Sequence, residues 1–225
     1  MHTKVKDLIL SIYSRLLGVL RILLRKWDII VILLLSMLLM MGIQWYCLRR
    51  IQPQELSVRQ HIVRVAESYL GCREGDSDHK QIIDTYNTQQ PLPRGYEVTY
   101  TDSWCAAFVS TVSIRCGLTD IIPTECGCER QIELFKALGT WEEQDSTIPL
   151  PGDLIYYDWN MEEKGECTGW ADHVGIVVGT KWPYLKVIEG NFNDCVGYHY
   201  LKLDDVQIRG FARPDYNRFL HENTP

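Results

Sequence analysis

The feature that most constrains this chain is an apolar run from Ile29 to Leu48, interrupted only by Ser36, Gly42 and Gln44. As a helix rising about 1.5 Å per residue it would extend about 30 Å, the thickness of a bilayer hydrocarbon core. Trp27 stands at one end and Trp45 with Tyr46 at the other, where interfacial anchors belong. The run is longer than a signal-peptide core, and no small-x-small site follows Gly42. Bulky Trp45 and Tyr46 before Cys47 also exclude a lipidation site. A transmembrane helix over 29–48 is therefore expected. Lys4, Lys6, Arg15, Arg21, Arg25 and Lys26 against Asp7 place residues 1–28 in the cytoplasm and the body outside the cell membrane. Within residues 8–25, Ser11, Ser14, Arg15, Gly18, Arg21 and Arg25 share one helical face, with Leu, Ile and Val on the other. That pattern fits a basic amphipathic helix in the membrane interface, or one packed on a partner protein.

Charge divides the 225 residues in the same way. Residues 1–50 hold eight Lys/Arg and two Asp, and the remainder fifteen Lys/Arg and twenty-seven Asp/Glu. A basic head on an acidic body suits a membrane-facing head and argues against nucleic-acid binding, which needs a basic face for phosphates.

Residues 49–59 are expected to be a linker, with Pro53 as a breaker, followed by one domain over 60–216 and a tail over 217–225. Helical periodicity runs through 58–70 to Gly71 and recurs at 79–87. A third helix should start near Trp104, capped by Asp102 or Ser103, with Ala106, Val109, Val112 and Ser113 as a small-residue stripe and Gly117 at its end. A fourth helical patch covers 128–138. Pro151-Gly-Asp153 is a turn, and Leu154–Tyr157, His173–Val178, Tyr184–Glu189 and Ile208–Ala212 are strand-like. Helices first and an antiparallel sheet afterwards make the body α+β.

A nucleophilic cysteine needs a lowered pKa, a base and a group that orients the base. Cys105 falls in the first turn of the third helix, where unpaired N–H groups favour a thiolate. If Gly179 and Pro183 flank a three-residue loop, His173 pairs across from Glu189, and alternation puts Glu189 and Asn191 on one face. Packing the Cys105 helix on that face would join thiol, imidazole and carboxylate. Asp172, Trp104 and Trp159 are candidates to line the cleft, with packing and turn formation as their alternative roles.

Four blocks carry a resemblance: Trp104-Cys-Ala-Ala-Phe-Val-Ser110, Pro151-Gly-Asp-Leu-Ile-Tyr-Tyr-Asp-Trp159, Asp172-His-Val-Gly-Ile-Val-Val178 and Val187-Ile-Glu-Gly-Asn191. Together, and in this order, they resemble the CHAP family of cysteine amidohydrolases and peptidases, similar in fold to NlpC-type papain-like hydrolases and common in phage endolysins and autolysins. The likeness covers roughly 60–216. It implies a papain-like fold, Cys105 as nucleophile, His173 as base and acid, Glu189 as its orienter and Asn191 as a further polar member. It also implies cleavage of an amide in the peptidoglycan stem peptide or cross-bridge, by an amidase or endopeptidase with no cofactor.

Two departures from that family matter. Only Asp102 stands where some members carry an Asp-rich calcium loop, and no wall-binding repeat follows, so the membrane helix is expected to hold the enzyme near the wall. No metal site is expected, since Cys126-Gly-Cys128 lacks a second ligand pair. Cys72, Cys116, Cys126, Cys128, Cys167 and Cys195 leave disulfide pairing open. The competing functions are a non-catalytic wall-binding module, a holin-like permeabiliser, and an amide hydrolase with a non-wall substrate.

Overall fold

Pro53 does not break the chain; it begins a helix. A computed structural model describes residues 29–41, 52–143, 148–160 and 170–223. Within it, residues 29–41 form a helix, α1, whose apolar side chains from Ile29 to Met41 are exposed on every side. Among the described residues no helix is long and apolar enough to cross a membrane. The expected span over 29–48 runs beyond α1 into 42–48, which lie outside the described residues, as does the amphipathic segment 1–28.

The second unit begins at Pro53. α2 covers Pro53–Glu67, so much of the expected linker is helix. Proline is tolerated there because the first turn has no helical acceptor for the missing N–H. α3 covers Ser77–Asn87, and Asp76 caps it by accepting the His79 N–H at 2.8 Å. α4 (Cys105–Cys116) is buried on all sides from Cys105 to Ser113, more than the expected stripe, because α2, α3 and the sheet pack around it. Gly117 ends it in the left-handed region, as its position suggested. α5 covers Cys128–Leu138.

Six strands follow: β1 (Trp141–Glu143), β2 (Leu154–Tyr157), β3 (His173–Lys181), β4 (Tyr184–Glu189), β5 (Gly197–Lys202) and β6 (Ile208–Ala212). They form one antiparallel sheet in the order β1-β6-β2-β3-β4-β5, and α6 (Tyr216–Asn223) closes the chain. The body is α+β. Its main core lies between the helices and the sheet face bearing Leu154, Tyr156, Val174, Ile176 and Ile188. A smaller cluster of Ile155, Tyr157, Val177, Leu185, Val187, Leu201, Ile208 and Phe211 covers the opposite face.

Residues 217–223 of the expected tail belong to the helix α6, tied down by one buried network. Arg59 on α2 bonds Glu55 at 2.7 Å and Asp153 at 2.6 Å, and its guanidinium lies 4.4 Å from the Tyr216 ring centre. The Tyr216 hydroxyl donates to the Gly152 carbonyl at 2.7 Å. Asp153 of the Pro-Gly-Asp turn is therefore structural: it fixes α2 to the start of the sheet.

Candidate active site

Cys105 is the first residue of α4. The helix's N-cap is Trp104, and no side chain caps it, contrary to the expected Asp102 or Ser103. Asp102 instead accepts the Thr99 N–H at 2.7 Å and the Tyr96 hydroxyl at 3.0 Å. The first-turn N–H groups are thus left for the thiol and for whatever meets it.

His173 opens β3, and its Nε2 lies 3.1 Å from Glu189 Oε2 at the end of β4. The ring and the Cys105 thiol each shift the other's titration, so the two lie within electrostatic reach of one another. With Nε2 on the carboxylate, Nδ1 is the atom left for the thiol. Cys105, His173 and Glu189 are thereby brought into one chain, but not as the spacing suggested. The β3–β4 turn is only Trp182-Pro183, and a bulge lies between Val177 and Gly179, so Ile176 pairs Ile188. Continuing that register sets Glu189 opposite Gly175 and one pleat away from His173.

Gly175 makes the diagonal reach possible. A Cβ there would lie 2.5 Å from Glu189 Cγ and 2.5 Å from Val187 Cγ1. Glu189 therefore lies across Gly175 to reach His173. Its other oxygen accepts from the Tyr157 hydroxyl at 2.6 Å and from His199 Nδ1 at 3.0 Å. Tyr157 stands directly opposite His173 across β2–β3.

The helix meets this group differently too. α4 packs on the sheet face of Val174, Ile176 and Ile188, whereas His173 and Glu189 share the other face with Tyr157 and Val187. The groups meet at the end of the sheet, where β3 begins, β4 stops and α4 starts. Gly190 permits that approach: a Cβ would lie 2.5 Å from Phe108 Cβ and 2.9 Å from the Trp104 ring.

Asn191 is not part of the cluster. β4 ends at Glu189, and Asn191 has φ 57°, so strand alternation no longer applies to it. Among the described residues no hydrogen bond joins it to His173, Glu189 or Cys105. Trp104 lines no open cleft either: it is fully buried, gives its indole N–H to Glu74 at 3.1 Å, and packs on His79. Trp159 is partly exposed and stacks on Tyr157 at 4.9 Å, with His173 at 5.7 Å. Exposed Asp172 accepts the Trp159 N–H at 3.0 Å, which holds that ring over the site. Arg94, Tyr96, Val98, Asp102, Ser103 and Cys126 line a cavity of about 250 Å³, and Cys105, His173 and Glu189 are not among its lining residues.

The electrostatics favour a charged pair. The Cys105 thiol is held well below its usual range by a hydrogen bond from Cys128, against burial, and further by the hydrogen bond and charge of His173. Burial opposes a charged His173, but contacts with Cys105 and Glu189 outweigh it and push the ring up to about 10. Burial would likewise raise Glu189; the bonds from His173 and His199, with the His173 charge, hold it low instead. Tyr157 is pushed far up by burial and by the Glu189 charge, so it remains a donor.

The sequence does not mark Tyr157 or His199 as members of the site, and it offers Cys128 only as a weak metal ligand or a disulfide candidate. Gly-Tyr-His-Tyr-Leu-Lys over 197–202 does alternate, which would have placed His199 on the face of Leu201. Nothing local ties Cys128 to Cys105, 23 residues away. Among the described residues no group of three or more His, Cys, Asp or Glu gathers to hold a metal ion.

No family model and no curated protein matches the chain. Among solved structures, the crystal structure of Ly7917 is similar at TM-score 0.34, with 15% identity over 50% of this chain and 53% of that one. The crystal structure of Ly7917 with the hydrolyzing product of MDP is similar at TM-score 0.34, with 14% identity over 49% and 53%. The match spans about half the length of either neighbour.

Proposed function

We propose that this chain is a cysteine hydrolase of CHAP type that cleaves amide bonds of bacterial peptidoglycan, as an amidase or endopeptidase, from the outer face of the membrane. The observation that carries the reading is the chain Cys105–His173–Glu189 at an uncapped helix N-terminus. A thiol held low beside an imidazole held high is a nucleophile with its proton already transferred. The Cys105 thiolate attacks the amide carbonyl, and first-turn N–H groups of α4 receive the developing oxyanion. Imidazolium His173 gives its Nδ1 proton to the departing amine. Water then attacks the thioester with His173 as base, releasing the acid and restoring the thiol. Glu189 keeps the ring oriented throughout.

The wall substrate is supported by the four family blocks. Membrane attachment is supported by the apolar run and by the exposed apolar surface of α1.

The test is digestion of purified peptidoglycan by the full-length chain, wild type beside Cys105→Ala, with products identified by mass spectrometry. New amine termini from wild type alone are expected, and their identity names the bond. Equal products from Cys105→Ala would end the mechanism. No products from several wall types, with Cys105 still reactive, would move the reading to a non-wall amide.

A further inference from the structure

We propose that Cys105 and Cys128 form an oxidation site, at which a hydroperoxide joins them in a disulfide that reversibly seals the nucleophile. The reversible loss of activity rests on Cys105 being the nucleophile; the oxidation itself rests on geometry alone. The two residues begin α4 and α5, so two helix N-termini face each other. Their sulfurs are 3.7 Å apart and both residues are buried. A disulfide needs about 2.05 Å, so the sulfurs must close by about 1.7 Å, within reach of small side-chain rotations.

Of the other described cysteines, Cys116 stands at the far end of α4 and three are engaged elsewhere. Cys126 faces Arg94 at 3.3 Å, Cys72 faces Asp76 at 3.5 Å, and Cys195 donates to the Phe192 and Asn193 carbonyls. Cys128 serves no step of the hydrolysis beyond giving its S–H to Cys105. Its own thiol is held up by that contact and by burial, so Cys105 is the member that reacts first.

The chemistry balances. The Cys105 thiolate attacks one hydroperoxide oxygen; an S–O bond forms, the O–O bond breaks, and the alcohol or water departs after taking a proton. Cys128 then attacks the sulfenic sulfur; the S–S bond forms, the S–O bond breaks, and the leaving hydroxide takes the Cys128 proton as water. Two thiols and one hydroperoxide give one disulfide, one alcohol and one water. A dithiol restores both by exchange. Without Cys128, the sulfenic acid has no partner in contact and proceeds to the irreversible sulfinic acid.

The test treats the reduced full-length chain with hydrogen peroxide and follows Cys105 by iodoacetamide labelling and peptide mapping. Labelling should fall about tenfold or more, with a linked 105–128 peptide lighter by two hydrogen atoms, and return with dithiothreitol. In Cys128→Ser, and in Cys128→Ala as a second variant, the loss should persist after dithiothreitol. Loss of labelling in wild type without the linked peptide, or linkage of Cys105 to another cysteine, overturns the proposal; the wild-type map decides this even if neither variant folds. The two readings fail separately. A linked peptide in a protein that cleaves no wall leaves the oxidation site standing. Wall cleavage that continues undiminished after full linkage shows that Cys105 is not the nucleophile.

Discussion

Gly175→Ala tests how the carboxylate reaches the histidine. The added Cβ would sit 2.5 Å from both Glu189 Cγ and Val187 Cγ1, and 3.2 Å from the Ile188 carbonyl oxygen. Carbon pairs settle near 3.5–4.0 Å, so each contact is short by about 1 Å or more. Neither neighbour yields easily. Val187 is fully buried and β-branched, and Glu189 is pinned by three donors. Overpacking alone costs about 1–3 kcal/mol. Freeing Glu189 from His173 adds about 1.5–3 kcal/mol, as for a hydrogen bond to a charged group. At about 2–4 °C per kcal/mol, Tm should fall by roughly 5–24 °C. With Glu189 displaced, iodoacetamide labelling of Cys105 at about pH 6 should slow about tenfold, since the imidazolium that sustains the thiolate loses its partner. Gly179→Ala is the internal control: the same strand, nothing within 4 Å of the new Cβ, and an expected gain of about 0.4–1 kcal/mol at most. A Gly175→Ala protein with wild-type Tm and wild-type labelling would refute the placement of Glu189 across Gly175.

Three further outcomes are expected. His199→Phe removes one of the donors on Glu189 while keeping a ring for Phe192 to stack on, and should lower turnover about tenfold with KM unchanged; a fall confined to KM would place His199 in substrate binding instead. His173, raised to about 10, stabilises the fold fully below the pH where an unfolded histidine titrates and loses that contribution as pH rises through its folded value. In Cys105→Ala the thiolate no longer raises the ring, so NMR should show His173 titrating at clearly lower pH and the alkaline loss of Tm should begin earlier; an unmoved titration would deny the ion pair. Arg59→Met leaves buried Asp153 with only the longer 3.7 Å ion pair to Arg213 and should cost up to about 3–5 kcal/mol in denaturant unfolding, while Arg59→Met with Asp153→Leu should recover most of it.

The elements were legible wherever local pattern decides them. The helix over 128–138, the strand Leu154–Tyr157 and the end of α4 at Gly117 follow from periodicity and capping, which neighbouring residues supply. What was not legible depended on distant partners. Pro53 could be a breaker or a first helical residue, and the choice is made by Arg59 meeting Asp153 ninety-four residues on. β1 has three residues and exists because β6 lies beside it. α6 has eight residues, too few to stand alone, and is kept by Tyr216 on Gly152.

The site shows the same division more sharply. Strand alternation correctly placed His173 and Glu189 on one face, because a bulge and a shortened turn together moved the register by two residues, and an even shift preserves the face. A shift of one would have turned the carboxylate into the helical core and dissolved the cluster. The pairing partner was therefore wrong while the proximity was right, and the price of the two-residue offset falls on position 175, which must lack a side chain. Gly175 and Gly190 sit inside the blocks Asp172–Val178 and Val187–Asn191 for this steric reason: one lets Glu189 cross its own sheet, the other lets α4 reach the sheet's end. Those blocks thus encode the approach of three elements as much as the reactive atoms. A chain holding Cys105, His173 and Glu189 but an alanine at 175 or 190 would carry the right chemistry at the wrong distances.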